Sequence, residues 1–527
     1  MKIILTTLNS RFTHSSIGLR YIYANMHSLQ DDTQILEFSI NDAIQSVAEK
    51  ILLNKPDIIG LGVYIWNVSY ISELIHILKK ISPKTTIILG GPEVTHEPFR
   101  VKLEADYIIQ GEGDLAFYKL CSSIINAAPP KEKIIKMSMP SLETVKLPYQ
   151  YYTDDDIKNR YIYVEVSRGC PFECEFCLSS MDEKVRAFDL DAVLEEFEKL
   201  WIRGARNFKF VDRTFNLNMK TANKILDFFL AKEPPYFAHF EVIPDHFPTS
   251  IKEKIASFAP GALQLEIGIQ TLNLEIANNI SRQLKLDKIR ENITFLEHET
   301  EAHIHLDLIV GLPGESLESF GKNLDELVSL SSCEIQIGIL KKLSGTFINR
   351  HDIEHGMVYS DVPPYDILKN NQLSFSDIQI MKRFSRFWDL TYNSGNFKRS
   401  VKLLWLDSRS EPGMTEFSTA YSNLHTRHSK LDLESNPKVY ENFYTFGLWM
   451  YEQTDSTWKI SLQRLGELLF TYLTEIKKLS PQRVATTMLE DMMKLKGRAI
   501  PGFLKPYSKE FVANAKEGSS GFNKRQN

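Results

Sequence analysis

Between residues 2 and 110 the chain repeats one pattern five times. Short apolar runs at 2–8, 33–38, 57–63, 85–89 and 106–110 alternate with helical spacing. The run at 57–63, Asp-Ile-Ile-Gly-Leu-Gly-Val, is continuous rather than alternating, as expected of a strand buried on both faces of a parallel sheet. Ser15 or Ser16 is expected to cap a first helix with Leu19, Ile22, Met26 and Leu29 on one face. Asn67 is expected to cap another, with Ile71, Leu74, Ile75 and Leu78 inward. This alternation predicts a Rossmann-like doubly wound sheet over residues 1–130. Gly90-Gly91-Pro92 and Gly111-Glu112-Gly113-Asp114 follow strand carboxyl ends, where such sheets bind ligands.

A proline- and lysine-rich stretch at 131–159 reads as a linker. A second series follows over 160–345. Its strands are expected at 161–166, 207–212, 239–243, 264–270, 303–310 and 334–340, with helices at 192–201, 221–230 and 317–330 between them. Six β/α units predict a partial (β/α)6 barrel of the TIM type, with chemistry at the strand carboxyl ends. Residues 346–517 are helix-like and aromatic-rich, as at 378–390 and 462–479, and predict a mostly helical C-terminal domain. Residues 518–527 read as a disordered tail. The fold class is α/β throughout the first two domains.

A length of 527 residues suits two or three such domains. The net charge of -5 gives no general reason to expect nucleic acid or an anionic membrane as partner. The N-terminus lacks a signal-like apolar region and the apolar runs are strand-length, so a cytoplasmic protein with no membrane span is expected. Three of the five cysteines fall within eight positions. That clustering argues for metal rather than a disulfide framework. Cys121 and Cys333 stand alone and read as small buried apolar residues.

The cluster is Ser167-Arg168-Gly169-Cys170-Pro171-Phe172-Glu173-Cys174-Glu175-Phe176-Cys177, directly after the first strand of the second series. A structural zinc site normally takes four protein ligands, and no histidine lies near these three cysteines. A cubane ordinarily takes four thiolates. Three leave one iron open to a chelating small molecule, such as a sulfonium that accepts an electron and loses an alkyl radical. The bland alternative is a zinc or electron-transfer site with a remote fourth ligand, such as Cys333.

The segment resembles the signature of the radical S-adenosylmethionine superfamily, whose 4Fe–4S cluster would be held by Cys170, Cys174 and Cys177, with Phe176 against the adenine. Phe210-Val211-Asp212-Arg213-Thr214 ends the second strand, where the family binds the amino group of S-adenosylmethionine; the usual Gly-Gly-Glu is absent. The resemblance implies Asp212, Thr214, Glu241, Gln270 and Ile309 as contacts to that cofactor. A polar position at the barrel mouth with no cofactor contact is the alternative for Glu241 and Gln270. His303 and His305 share one side of a strand; a catalytic pair is one reading, and satisfied core or mouth residues are the commoner one.

A five-strand sheet ahead of such a barrel is similar to the cobalamin-binding subfamily. The matching residues are Tyr64, Trp66, Asn67, Gly90, Gly91, Glu93, Thr95, Gly111, Glu112 and Gly113. The nearest match to a cobalt-ligating Asp-x-His-x-x-Gly is Phe12–Gly18, which lacks the Asp, so His14 is a poor cobalt ligand. The alternative is a Rossmann-like domain with another nucleotide or none. Leu340–Thr346 and Tyr392–Phe397 resemble a subset with a C-terminal domain of unknown function. The resemblance implies methylation of an unactivated carbon, with an electron donor such as flavodoxin or ferredoxin. Radical cyclisation or rearrangement is a second reading, and a non-catalytic cobalamin or redox sensor a third. The substrate is not legible.

Overall fold

In the computed structural model the described residues are 1–97, 99, 101, 103–182, 184–406, 438–493 and 499–509. The tail expected at 518–527 lies outside them. The chain divides into two compact units, residues 1–314 with 339–374, and 315–338 with 375–527.

The first sheet has six strands: β1 (Ile3–Asn9), β2 (Thr33–Ser39), β3 (Ile58–Gly62), β4 (Thr86–Gly90), β5 (Tyr107–Gln110) and β6 (Ile134–Lys136). Their order is β2-β1-β3-β4-β5-β6, and every pairing is parallel. All seven residues of β1 are buried, because helices cover both faces of the sheet. Ser16 caps helix Ile17–Ala24, accepting from the Leu19 amide at 3.3 Å. Asn67 precedes helix Val68–Ile81 without capping it. Its carboxamide accepts from the Tyr64 amide at 2.8 Å and donates to Thr7 Oγ1 and the Leu8 and Gly62 carbonyls, each at 3.1 Å. It therefore pins the β3 loop onto β1.

Strand β6 falls within the stretch that reads as a linker. It pairs with β5 and is half-buried to exposed, an edge strand too short to show a period.

The second sheet also has six strands: β7 (Ile162–Val164), β10 (Asn207–Phe210), β11 (Phe237–Val242), β12 (Leu263–Gln270), β13 (His303–Val310) and β14 (Glu334–Ile339), in the order β14-β13-β12-β11-β10-β7. The pairings from β7 to β13 are parallel. Between β7 and β10 lies a separate antiparallel ribbon, β8 (Ser167–Arg168) with β9 (Arg186–Ala187). The sheet is the partial barrel of the TIM type that the sequence predicts. Alternate residues of β12 and β13 are buried, and the other face carries Gln264, Glu266, His305 and Asp307.

In the second unit the helices include Leu317–Leu330, Phe375–Trp388, Val439–Thr454, Leu462–Thr471 and Pro481–Met492. Phe384, Phe387, Trp388 and Tyr392 are its core: Trp388 stacks on Tyr392 with centroids 4.2 Å apart. The helix expected at 462–479 ends at Thr471 and continues as a π turn, Tyr472–Ile476.

Candidate functional site

The three clustered cysteines sit on the loop after β8. None of them is in a disulfide; Cys170 and Cys174 are buried and Cys177 is half-buried. Burial pushes the Cys170 thiol up, and the nearby Cys177 and Cys174 add to that shift. Burial also raises Cys174, against the pull of Arg282. Arg282 donates to Cys174 Sγ at 3.5 Å and to the Gly268 carbonyl.

Glu175 anchors the loop from behind. It is 1% exposed, accepts from Ser281 Oγ at 2.7 Å, pairs with His351 Nε2 at 2.8 Å and binds Arg350. Its main chain bonds Ile280 at 3.3 Å and Ile348 at 3.0 Å. Gly169 has φ +91, and a Cβ there would stand 2.4 Å from the Lys184 carbonyl oxygen, so only glycine fits.

Phe176 is half-buried beside Cys177. Asp212 is buried and accepts from the Val166 amide at 3.1 Å and Ser167 Oγ at 2.6 Å. Burial pushes its carboxyl up to about 7. Asp212 and Thr214 line a small hollow of about 40 Å³ with Ser167 and Ala187. Glu241 pairs with Arg213 at 2.8 Å. Gln270 has φ +65, at a register shift where β12 meets β13. Ile309 and Asp307 share one face of β13. Burial raises the Asp307 carboxyl well above the usual carboxylate range, helped by Glu266 and Glu241. The hydrogen bond from His239, at 2.9 Å, holds Glu266 low.

The first sheet opens at its strand ends into a cavity of about 290 Å³. Tyr64, Gly90, Gly91, Gly111, Glu112 and Gly113 all line it. Nothing stands within 4 Å of where a Gly90 Cβ would be, so any side chain there would enter the space. Trp66, Asn67, Glu93 and Thr95 do not line it. Trp66 stacks on Tyr64 with centroids 4.5 Å apart. Thr95 Oγ1 donates to the Gly91 carbonyl at 2.9 Å, and Glu93 accepts from the Tyr365 hydroxyl. His14 Nδ1 lies 2.6 Å from the Tyr163 hydroxyl.

Sequence reasoning passed over Arg168. It lines the same cavity with Glu165 and Asp114, and binds Asp114 at 2.9 and 3.0 Å, Glu165 at 2.8 Å and Glu112 at 3.1 Å. The available signal was a pair of acids in a glycine turn and an arginine in the cysteine segment. Arg282 and Glu175 left no signal of their own.

Both cofactor sites fit their groups on structural grounds. Three cysteines outside any disulfide sit on one loop, with Arg282 against Cys174, a donor set short of the four that fill a cubane. The cavity is floored by glycines at the carboxyl ends of a parallel sheet, leaving room for a bulky ligand's tail.

A Rossmann-like sheet followed by a partial TIM barrel with a three-cysteine loop defines a two-module α/β enzyme of the radical S-adenosylmethionine class. Residues 3–120 match the B12 binding domain, 164–327 the radical SAM superfamily, and 353–525 a protein family of unknown function, DUF4080. The chain thus carries a B12 binding domain, a radical SAM domain and a DUF4080 C-terminal domain in that order, the arrangement that its resemblance to cobalamin-binding radical S-adenosylmethionine enzymes implies. Its cofactors are a 4Fe–4S cluster, S-adenosylmethionine and cobalamin, and enzymes of this class need an electron donor.

Among its relatives, an uncharacterised methyltransferase of Pyrococcus horikoshii is 28% identical over 239 residues, 40% of this chain and 51% of that protein. The cobalamin-dependent radical SAM methyltransferase TokK of Streptomyces tokunonensis is 22% identical over 56% of this chain and 49% of its own. The chain thus spans about half the length of these curated relatives. The cobalamin-dependent S-adenosylmethionine radical enzyme OxsB, solved with aqua-cobalamin and S-adenosylmethionine, shares the fold with a TM-score of 0.59 at 12% identity, over 99% of this chain and 82% of that one. No helix among the described residues is long and apolar enough to cross a membrane.

Proposed function

We propose that this enzyme methylates an unactivated carbon of its substrate. The observation that carries the reading is one compact unit holding both the three-cysteine loop and a glycine-floored cavity, joined at Arg168. The relatives named as methyltransferases support it. When bound, the cluster and S-adenosylmethionine supply a 5′-deoxyadenosyl radical, and methylcobalamin supplies the methyl group.

In this reading Cys170, Cys174 and Cys177 are the cluster's ligands, and Arg282 tempers their negative charge through Cys174. Phe176, Thr214, Glu241, Gln270 and Ile309 orient S-adenosylmethionine at the barrel mouth. Asp212 acts from behind by holding Ser167. Tyr64, Gly90, Gly91, Gly111, Glu112 and Gly113 wall the cobalamin cavity. Trp66, Asn67, Glu93 and Thr95 support that wall by stacking or by hydrogen bonds. The glycines admit the ligand, and the apolar wall of Leu5, Ile88, Ile109 and Phe117 excludes water. The electron donor is a flavodoxin or ferredoxin, and the location is the cytoplasm, where clustered thiols stay reduced.

Replacing Cys170, Cys174 and Cys177 together by Ala is expected to abolish both cluster iron and 5′-deoxyadenosine after anaerobic reconstitution with S-adenosylmethionine and a reductant. Surviving deoxyadenosine would sink the assignment. A product mass higher by one methyl unit separates methylation from rearrangement.

A further inference from the structure

We propose that Arg168 and the Glu112-Gly113-Asp114 turn couple the two cofactor sites, so that the cluster loop responds to filling of the N-terminal cavity. The inference rests on the cofactor assignments above. The cluster loop's ribbon carries a charge problem. The β8–β9 ribbon sets Arg168 directly opposite Arg186. Like charges facing each other across an antiparallel pair repel.

Part of the compensation is local: Glu165 binds Arg168 at 2.8 Å and Asp182 binds Arg186 at 3.1 Å. The rest comes from the Rossmann-like sheet. Glu112 binds both arginines, and Asp114 takes both terminal nitrogens of Arg168 at 2.9 and 3.0 Å. These two acids and Arg168 are also cavity wall. A ligand that fills the cavity therefore meets the same groups that neutralise the ribbon.

The other end of the link is stiff. Arg168 is two residues from Cys170. Between them Gly169 is pressed against the Lys184 carbonyl, and the Cys170 amide donates to the Asp182 carbonyl at 3.0 Å. The guanidinium carbon sits 4.7 Å from the Tyr21 ring centroid and 5.4 Å from that of Phe188. A planar fork bonded on both edges and packed against two rings has few rotamers in which to absorb a displacement. A shift of the turn passes to the Cys170 backbone. The hydrogen bonds of Arg168 go to Glu165 and Asp114, not to a cysteine, so it is a positioning residue.

The test uses the full chain with its cluster reconstituted and reduced. The probe is a cobalamin analogue with rhodium in place of cobalt, which is diamagnetic and leaves the cluster's EPR signal uncluttered. In the native protein, saturating analogue is expected to shift the g values of the reduced cluster. Arg168→Lys and Asp114→Asn should each keep cluster iron and, at analogue concentrations that saturate each variant, lose the shift. If Arg168→Lys fails to fold, Asp114→Asn, which preserves size and one acceptor, decides. A shift that persists in the variants overturns the coupling. So does an unchanged native spectrum with the cavity filled, or complete loss of analogue binding in both variants, which would make the turn a binding element alone. Native protein that holds no cluster, or binds no analogue, refutes the cofactor assignments themselves.

Discussion

Arg282 donates a hydrogen bond to the Sγ of Cys174 at 3.5 Å. Its second terminal nitrogen binds the Gly268 carbonyl, so the barrel wall aims the guanidinium at the cysteine loop. A cation beside a thiolate ligand favours the more negative, reduced state of a cluster. Hydrogen bonds to charged groups are worth roughly 1.5–3 kcal/mol. Only the part of that strength that differs between the oxidised and reduced cluster moves the midpoint, so about 60–130 mV is the upper bound for a one-electron couple. Arg282→Gln is expected to lower the cluster midpoint by up to that amount in an EPR-monitored redox titration. An unchanged midpoint would show that the contact does not tune the cluster.

Two glycines of the first sheet should respond in opposite ways. A side chain at Gly90 meets nothing within 4 Å and projects into the cavity. Gly90→Val is expected to leave the unfolding midpoint near native and weaken cobalamin binding tenfold or more, about 1.4 kcal/mol, in a visible-absorbance titration. At Gly60 a Cβ would stand 2.6 Å from the Phe117 ring and 3.0 Å from Leu5. Gly60→Ala is expected to cost about 1–3 kcal/mol of stability by overpacking.

Asp212 sets a pH dependence. Burial raises its carboxyl from 3.8 to about 7 in the fold. Between those values the native state binds more protons than the unfolded chain, so stability falls as pH rises and levels off above about 7. Each unit corresponds to about 1.4 kcal/mol, which makes roughly 4 kcal/mol an upper bound. Asp212→Asn keeps an acceptor for Ser167 and removes the slope. Denaturant midpoints at pH 5 and pH 8 should then differ less than in the native protein. An equal difference would place the slope in other groups.

Glu175 is a buried carboxylate held by Ser281, Arg350 and His351. Breaking such a pair from one side typically costs about 3–5 kcal/mol, and partial exposure of Arg350 reduces this. Glu175→Ala is expected to lose about 2–4 kcal/mol in chemical unfolding and to lower cluster occupancy. Glu175→Gln, which retains one acceptor, should lose less. Equal losses would mean that shape matters more than charge.

Both sheets were legible because a buried parallel strand writes its own apolar run. The β3 segment is such a run, and β13 keeps its expected range of 303–310 as His303–Val310. Strand β6 was not legible. Three residues on an edge carry no period, and their pairing with β5 depends on a partner 26 positions away in the register. The helix expected through 479 stops at Thr471 because the apolar spacing does not register a change of hydrogen-bond pattern. Asn67 looked like a helix cap, since its type and position suit one. Its carboxamide instead binds β1, some 60 residues earlier, which no local window contains.

By itself the sequence determined the two parallel sheets, the three-cysteine loop and the glycine turns of the first sheet, because each is encoded in residues close together along the chain. Tertiary structure alone decided what surrounds them. Arg282 reaches Cys174 across 108 positions, Arg168 meets Asp114 across 54, and Arg350 meets Glu175 across 175. Such pairs follow from which strand ends converge when the sheets twist and close, and a linear spacing rule has no access to that convergence.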